Sequence, residues 1–299
     1  MLDGWRQTQG GRIRAGNFSA LAIVFDCGPL WERTKLAAVL EQLQLFLHAF
    51  QLLAAGNQLL FFGAHHAVVE CLWPPGAVDA AAAVTHDLRA SIAAGVDHLI
   101  SRSGDGVTSL ISAAISKALC QLERVKRTQP NAECRVLVLQ ASPESAAQHL
   151  ATMNCAFAAY DLGITLDVVV LLDDADAAPS IPSRDASSLA LQQAAGTSGG
   201  LYRRPNMLTC AAISQYLITT CLPDHYDRQY FSPAKQGQLE TRALCFLTKQ
   251  ALQLGCACSV CLAVFTDDKM PECRVCSTRF TGNLFLGGVS RKKAKLTTG

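Results

Sequence analysis

Four cysteines near the C-terminal end of the chain stand in two closely spaced pairs, Cys258-x-x-Cys261 and Cys273-x-x-Cys276. The two-residue spacing lets both sulfur atoms of a pair turn toward the same side of a short loop, and two such pairs supply the four thiolates of a tetrahedral Zn²⁺ site. Because four protein ligands leave no open coordination position, such an ion stabilises the fold and carries out no reaction. The sequence therefore predicts one structural zinc ion, with Cys258, Cys261, Cys273 and Cys276 as its ligands.

Other interpretations of this cysteine-rich segment fit less well. A RING-type ubiquitin ligase binds two zinc ions through eight ligands, whereas this segment offers five cysteines, and no histidine follows Cys256. A redox-active Cys-x-x-Cys pair is a further alternative, but two pairs side by side favour a metal. Cys256 lies two residues before Cys258, which is the wrong spacing for the usual zinc loop. We expect Cys256 not to bind the ion.

A second candidate site lies where the first predicted strand ends at Asp26, because open α/β sheets bind ligands beyond the carboxyl ends of their strands. The following residues, up to Trp31, include a single glycine, Gly28. This excludes the usual Gly-x-Gly-x-x-Gly dinucleotide site. The chain also has no Gly-x-x-x-x-Gly-Lys-Ser/Thr phosphate loop.

A Mg²⁺ site of the von Willebrand A type would need an Asp-x-Ser-x-Ser loop at the same position, with a threonine and a second aspartate from later loops. Asp26 is present, but Gly28 and Leu30 stand where the two serines would be. Thr108 opens a predicted helix where the threonine is expected, and the later strand ends at Gln140-Ala-Ser142 without a carboxylate. Since Mg²⁺ requires several oxygen ligands in octahedral array, we expect no ion at this position.

Weaker signals elsewhere do not predict another site. Asp173, Asp174 and Asp176 follow a predicted strand, where an acidic turn is commoner than a cation site. His65 and His66 occupy a predicted turn, and we expect their rings to be solvated and not to bind metal. No serine, histidine and carboxylate stand in a recognisable nucleophile motif. The chain is therefore predicted not to be an enzyme.

Composition bounds the size and class of the protein. The 299 residues suffice for one domain of about 200 residues and a small additional module. Half of the residues are apolar and 17% are charged, which indicates a well-buried core, and the net charge of +2 argues against general nucleic-acid or membrane binding. The 13 cysteines are odd in number and unevenly spaced, so we expect free thiols in a reducing compartment. We expect neither a signal peptide in residues 1–17 nor a membrane span.

Alternating strand-like and helix-like segments must position the candidate sites. Short apolar runs predict buried strands, and apolar residues at helical spacing predict amphipathic helices. Predicted strands span residues 21–25, 58–62, 67–73, 135–139, 166–172 and 199–203, and predicted helices span 34–53, 81–101, 109–127, 143–160, 187–195 and 206–221. Pro143 and Glu144 are expected in the first turn of their helix.

The order of these segments predicts an α/β fold with a doubly wound, mostly parallel sheet. Strands separated by helices pair in parallel through right-handed crossovers, and the hairpin of residues 58–73 adds one antiparallel edge strand. The predicted regions are a flexible N-terminal tail at 1–17, the α/β domain at 18–221, a linker at 222–240, the zinc-binding module at 241–285 and a basic C-terminal tail at 286–299.

These motifs resemble, in content and order, a known family. Residues 21–31, 115–120, 135–141, 153–159, 191–202 and 216–224, with Phe280 and the two cysteine pairs, are similar to stretches of the smaller von Willebrand A-type subunit of general transcription factor IIH (TFIIH). That family joins a degenerate von Willebrand A domain to a C-terminal four-cysteine zinc module. The resemblance, which runs from residue 18 to residue 295, implies the same fold here and makes the four cysteines the zinc ligands.

The resemblance also implies a function. It implies a non-catalytic structural subunit of the TFIIH core, a complex that opens promoter DNA for RNA polymerase II and acts in nucleotide excision repair. The expected partner is the larger von Willebrand A subunit of that core and, through it, the other subunits, including the helicases. Contact with DNA would be at most indirect, and the expected location is the nucleus.

Two functions of other classes remain alternatives at this level. A nucleic-acid-binding zinc-ribbon protein of another nuclear complex would use the module and the basic residues 291–295, with an affinity that falls steeply with salt. The near-neutral charge and the 7% aromatic content weigh against it. A Mg²⁺-dependent ligand receptor would need the serine loop that the chain lacks.

Overall fold

The computed structural model describes the chain from residue 19 to residue 279 with gaps. The described ranges are 19–28, 33–74, 87–102, 108–142, 144–171, 189–203, 213–224, 227–230, 245–248, 252, 255–261, 263–267 and 270–279. The predicted tails at 1–17 and 286–299, the acidic residues 173–176, Leu30 and Phe280 lie outside these ranges.

Strands and helices alternate through the first two thirds of the chain. In order they are β1 (Ser19–Asp26), α1 (Arg33–Leu53), β2 (Gln58–Ala64), β3 (Val69–Trp73), α2 (Leu88–Ser101), α3 (Ile111–Thr128), β4 (Glu133–Gln140), α4 (His149–Leu162), β5 (Thr165–Val170), α5 (Leu189–Ser198), β6 (Tyr202–Arg203) and α6 (Ile213–Thr220). The short strands β7 (Cys256–Ala257) and β8 (Val264–Phe265) follow near the C-terminal end.

The main sheet has the strand order β3-β2-β1-β4-β5-β6. β1 pairs in parallel with both β2 and β4, β4 with β5, and β5 with β6, whereas β3 pairs antiparallel with β2 at one edge. The prediction of a doubly wound, mostly parallel sheet with one antiparallel edge strand is confirmed. In this order the carboxyl end of β1 lies between those of β2 and β4, which places Asp26 at the centre of one sheet edge.

Alternate side chains of β1 face opposite layers of helices. Ala22 and Val24 pack in a core that includes buried residues of α3, α4 and α5, whereas Leu21, Ile23 and Phe25 pack in a second core with α1, α2 and α6. Burial on both faces explains why the strand has a continuous apolar sequence. The sheet therefore lies between two helical layers.

Helix α1 has an unusually apolar sequence. Within the described residues, its span Lys35–Leu53 is long and apolar enough to cross a membrane by length and composition alone. Its side chains Leu43, Phe46, Leu47 and Phe50 are at most 1% exposed in the second core. Packing against the sheet thus accounts for the apolar residues on the buried face of this helix, whereas Leu52 near its end is 85% exposed.

The start of α4 differs from the prediction. A short 3₁₀ turn, Ala146–Gln148, precedes the helix, which begins at His149, so Glu144 does not lie in its first turn. The Glu144 carboxylate accepts a hydrogen bond from the backbone N–H of Ala190, at the start of α5. Upstream of this turn, Ser142 donates to Asp26 through both its backbone N–H and its hydroxyl group.

Two arginines, the buried Arg135 and the half-buried Arg228, hold the chain that follows α6 against the sheet. The guanidinium of Arg135, on β4, donates to the backbone carbonyls of residues 221, 222 and 223 at 2.7–2.8 Å. Arg228 binds the Asp167 carboxylate on β5 with two hydrogen bonds of 3.0 and 2.5 Å. The described part of the predicted linker is therefore fixed to the sheet, and the boundary at residue 221 stays a prediction.

The C-terminal module is small. β7 and β8 form an antiparallel pair, and the backbone N–H of Phe246 donates to the carbonyl of Val264 at 2.7 Å. Its buried cluster contains Phe246, Ala263, Phe265, Met270 and three of the paired cysteines. Leu150 of α4 packs against this cluster, so the module and the α/β domain share a contact.

Candidate metal centre

Backbone hydrogen bonds shape both cysteine loops. The N–H of Cys258 donates to the carbonyl of Ala263 at 2.9 Å, which closes the first loop around Cys261. The N–H of Cys273 donates to the carbonyl of Thr278 at 2.8 Å, and Ser277 adopts a left-handed conformation with φ of 54°. Each loop thereby turns back on itself within a few residues and points its two sulfur atoms inward.

The four sulfur atoms converge at one point. Cys258 Sγ lies 3.6 Å from Cys276 Sγ, and Cys261 Sγ lies 3.6 Å from Cys273 Sγ. All four lie within 4.8 Å of one another. A regular tetrahedron with Zn–S bonds of about 2.3 Å has sulfur–sulfur edges of about 3.8 Å. The donor set and its spacing therefore fit one tetrahedral metal ion of the kind that prefers thiolates.

Burial separates this cluster from water. Cys258, Cys261 and Cys273 are at most 1% exposed, and Cys276 is half-buried. Burial raises the pKa of Cys261 and of Cys273. At Cys276 burial acts in the same direction, but hydrogen bonds with Thr278 and the neighbouring cysteines lower the pKa to about 6. A bound cation would favour the thiolate form of all four, so metal binding must release protons.

Cys256 is not part of the convergent group. It is buried in β7, where it pairs with Phe265, whereas the four paired cysteines are the group with metal-binding geometry among the described residues. That Cys256 does not bind the ion, and that the other four do, remain predictions of the sequence.

The Asp26 carboxylate, at the carboxyl edge of the sheet, is enclosed by the chain itself. Its Oδ1 atom accepts hydrogen bonds from the N–H of Gly28 at 2.9 Å and from the hydroxyl group of Ser109 at 2.5 Å. Its Oδ2 atom accepts from the N–H groups of Ala141 and Ser142, at 2.9 and 2.6 Å, and from the Ser142 hydroxyl group at 2.5 Å. Five donors from three chain segments thus occupy both oxygens of a fully buried carboxylate.

Gly28 makes this close approach possible. A Cβ atom at this position would lie 3.0 Å from Asp26 Oδ1, 3.1 Å from Ser109 Oγ and 3.2 Å from Ser142 Cβ. The glycine that replaces a metal-binding serine is therefore also the residue that lets the loop close over Asp26. Both oxygens of Asp26 thus already accept hydrogen bonds from the chain, and the absence of a divalent cation at this position stays a prediction.

Sequence reasoning missed the roles of Ser109 and Ser142. The sequence pattern predicted a threonine at Thr108 and no carboxylate after β4. The side-chain groups that donate to Asp26 are instead the hydroxyl of the next residue, Ser109, and the hydroxyl of Ser142. The signal was the presence of a serine at each of these two loop ends. Its meaning depends on the sheet order, which brings both loops to Asp26.

The prediction of a solvated ring was wrong for His65, whereas His66 is half-buried. His65 is 3% exposed, and its Nε2 atom lies 3.2 Å from His66 Nδ1. The backbone of His65 is fixed by hydrogen bonds with Val68 and Leu110, which draws the ring into the edge of the sheet. Burial and the neighbouring His66 ring lower the pKa of His65. His65 is thus a packed, buried residue and not a solvated one.

The comparisons with known proteins cover both parts of the molecule. The family described as transcription factor Tfb4 matches residues 18–277, a span that includes the α/β domain and all four paired cysteines. The "General transcription and DNA repair factor IIH subunit tfb4" of Schizosaccharomyces pombe is 27% identical over 88% of this chain and 89% of its own length. The "General transcription factor IIH subunit 3" of Dictyostelium discoideum is 33% identical over 59% of this chain and 44% of its own length.

A solved structure shows the same fold. The crystal structure of the TFIIH p34 N-terminal domain superposes with a TM-score of 0.55 over 68% of this chain and 97% of that chain, at 23% identity. The family match extends well past this domain, to the second pair of cysteines. On these grounds the chain belongs to the Tfb4 transcription factor family.

Proposed function

We propose that this protein is a structural subunit of TFIIH that acts in RNA polymerase II transcription initiation and in nucleotide excision repair. The observation that carries the proposal is the family match over residues 18–277, which includes both the sheet domain and the cysteine module. The S. pombe and D. discoideum relatives are both named as subunits of factor IIH, and the name of the S. pombe relative also includes DNA repair. The nucleus is the corresponding location.

The two sites support a role without catalysis. The four cysteines have the geometry to hold one ion with no open position, and zinc is the metal that best suits four buried thiolates. The Asp26 carboxylate, where related sheets bind ligands, already has hydrogen bonds at both oxygens. We infer a scaffold that carries one structural zinc ion, at Cys258, Cys261, Cys273 and Cys276, and performs no reaction itself.

The proposed partner is the larger von Willebrand A subunit of the TFIIH core. A subunit that catalyses no reaction contributes to a complex through its binding surfaces. Contact with the larger subunit would connect this chain to the helicases and the other subunits. The domain arrangement proposed for this role is the α/β domain at 18–221, the linker at 222–240 and the zinc module at 241–285. Contact with DNA would be at most indirect.

The test is affinity purification of the tagged chain from nuclear extract, with the co-purifying proteins identified and quantified by mass spectrometry. We expect the larger von Willebrand A subunit and the two helicases in near-equal amounts to the tagged chain. Recovery of the chain alone, or with unrelated proteins, would contradict the proposal. Binding to DNA that weakens steeply with salt would instead support a nucleic-acid-binding protein of another complex.

A further inference from the structure

Phe246 connects the cysteine module to the α/β domain. Its ring is 8% exposed and packs edge-on against Phe265 of the module, with 6.3 Å between the ring centroids. On its other side it packs edge-on against His149, the first residue of α4, with a centroid distance of 5.0 Å. Leu150 packs against the same cluster as the paired cysteines. The first turn of α4 therefore shares a core with the sulfur atoms.

The residue before α4 holds the start of α3. The side-chain carbonyl of Gln148 accepts hydrogen bonds from the backbone N–H and the hydroxyl of Ser112, at 3.3 and 3.0 Å, and its amide group donates to the carbonyl of Ser109 at 2.6 Å. Helix α3 has no side-chain cap of its own, because its N-cap residue is Leu110. Gln148 thus supplies, from a distant part of the sequence, the acceptor that a polar N-cap residue would normally provide.

Ser109 continues the connection to the sheet. The Ser109 carbonyl binds Gln148, while the Ser109 hydroxyl group donates to Asp26 at 2.5 Å. The contacts run without interruption from the cysteines through Phe246, His149, Gln148 and Ser109 to the Asp26 carboxylate. Each step is a packed ring, a hydrogen bond or the peptide bond between Gln148 and His149.

We propose that the cysteine module acts as a clamp on the α/β domain, so that metal binding fixes the start of α4, the start of α3 and the Asp26 edge of the sheet. The module provides the two-state element that such coupling needs, because a structural metal site is ordered with its ion and disordered without it. When the loops lose their ion, Phe246 loses the support of Phe265 and no longer holds His149. The inference rests on the proposed zinc site but not on the proposed complex.

The experiment is hydrogen–deuterium exchange of the purified full chain, followed by mass spectrometry, with the metal bound and after removal by a chelator. We expect faster exchange in residues 255–279, and also in 144–152 and 108–112, where amides should exchange about five- to thirtyfold faster. Stepwise return of Zn²⁺ should restore protection in all three segments at the same metal occupancy. Faster exchange confined to 245–279 would overturn the proposal.

Two variants locate the connection. In Phe246→Ala, with metal content unchanged, residues 144–152 should exchange rapidly from the start and show no further response to the chelator. Gln148→Ala should keep the response in 149–152 and lose it in 108–112. Leu247→Ala is the matched control, since this neighbouring side chain is 54% exposed, and it should behave as the unmodified chain. An unaltered response in both Phe246→Ala and Gln148→Ala would show that the clamp does not run through these residues.

Discussion

The cysteine cluster and the Asp26 site both bury groups that can carry charge, but they differ in what surrounds those groups. The cysteines lie in a module with one two-residue strand pair and a small apolar cluster, and the donors next to their four sulfur atoms include the N–H of Val275 and the hydroxyl group of Thr278. Asp26 lies in a six-stranded sheet between two helical layers, and five hydrogen bonds from the chain itself surround it. In our proposal the small module uses an ion, whereas the large domain supplies its own donors.

The difference follows from the amount of apolar surface that each region can bury. β1 alone contributes six consecutive residues that are at most 1% exposed, from Ala20 to Phe25, and both sides of the sheet are covered. A core of that size holds backbone N–H groups and hydroxyl groups in fixed positions, at hydrogen-bond distance from a carboxylate. The short cysteine loops bury too little apolar surface to hold four thiols together, and metal binding is the usual solution for modules of this size.

The largest effect should come from Cys273→Ser. Zinc binding contributes about 10–16 kcal/mol of apparent free energy in structural sites, so loss of one ligand should abolish binding and unfold residues 255–279 while the sheet remains folded. Elemental analysis should find one metal ion per unmodified chain and none in the variant. Cys120→Ser is the control, because Cys120 is exposed on α3, away from the four paired cysteines. This variant should still bind one metal ion per chain. Full metal content in Cys273→Ser would refute the ligand assignment.

Asp26→Ala tests the other region. Five donors would lose their acceptor in a dry environment, so we expect the free energy of unfolding of the α/β domain to fall by about 3–5 kcal/mol. Urea unfolding followed by circular dichroism measures this change, and metal content should stay at one ion per chain. Asp161→Ala, on the exposed face of α4, should change stability by less than about 0.5 kcal/mol. Equal stability of the two variants would mean that Asp26 does not hold the sheet edge.

Gly28→Ser tests whether one serine of the von Willebrand A pattern lets the Asp26 site bind a divalent cation. The new Cβ atom would meet Asp26, Ser109 and Ser142 at 3.0–3.2 Å, so we expect a loss of about 1–3 kcal/mol in stability and no binding of Mg²⁺ or Mn²⁺. Thermal unfolding and isothermal titration calorimetry measure the two outcomes. Gly196→Ser, where an added Cβ atom meets no atom within 4 Å, is the matched control. Measurable Mg²⁺ binding by Gly28→Ser would show that the two serine hydroxyl groups yield to a cation.

The smallest expected effect is the pH dependence of zinc binding by the cysteine cluster. Burial raises the pKa of Cys261 and Cys273, so these thiols hold protons that a metal must displace, and more protons compete as the pH falls. Between pH 7.5 and 6.5 we expect the Kd for Zn²⁺ to rise by at least about tenfold, since one proton displaced per ion gives that factor per pH unit. Competition with a chromophoric chelator measures the Kd. A pH-independent Kd would mean that the thiols are already deprotonated without metal.

Part of the metal centre could be predicted from spacing because its geometry is local. Two residues between paired cysteines determine the loop, and the structure brings all four sulfur atoms within 4.8 Å. The strands of the main sheet were also predictable, because burial on both faces leaves a continuous apolar run such as residues 21–25. The start of α4 was not predictable in this way, since the residues before it bond to distant parts of the chain, Ser142 to Asp26 and Glu144 to Ala190.

The sequence by itself determined the fold class, the convergence of Cys258, Cys261, Cys273 and Cys276, and the loss of the serine loop after Asp26. These features depend on periodicity and on short spacing, which a linear sequence displays directly. Only the tertiary structure decided that Ser109 and Ser142 close over Asp26, that His65 is buried, and that Phe246 joins the module to α4. These contacts bring together residues separated by tens of positions, and the strand order and helix packing that create them are properties of the whole folded chain.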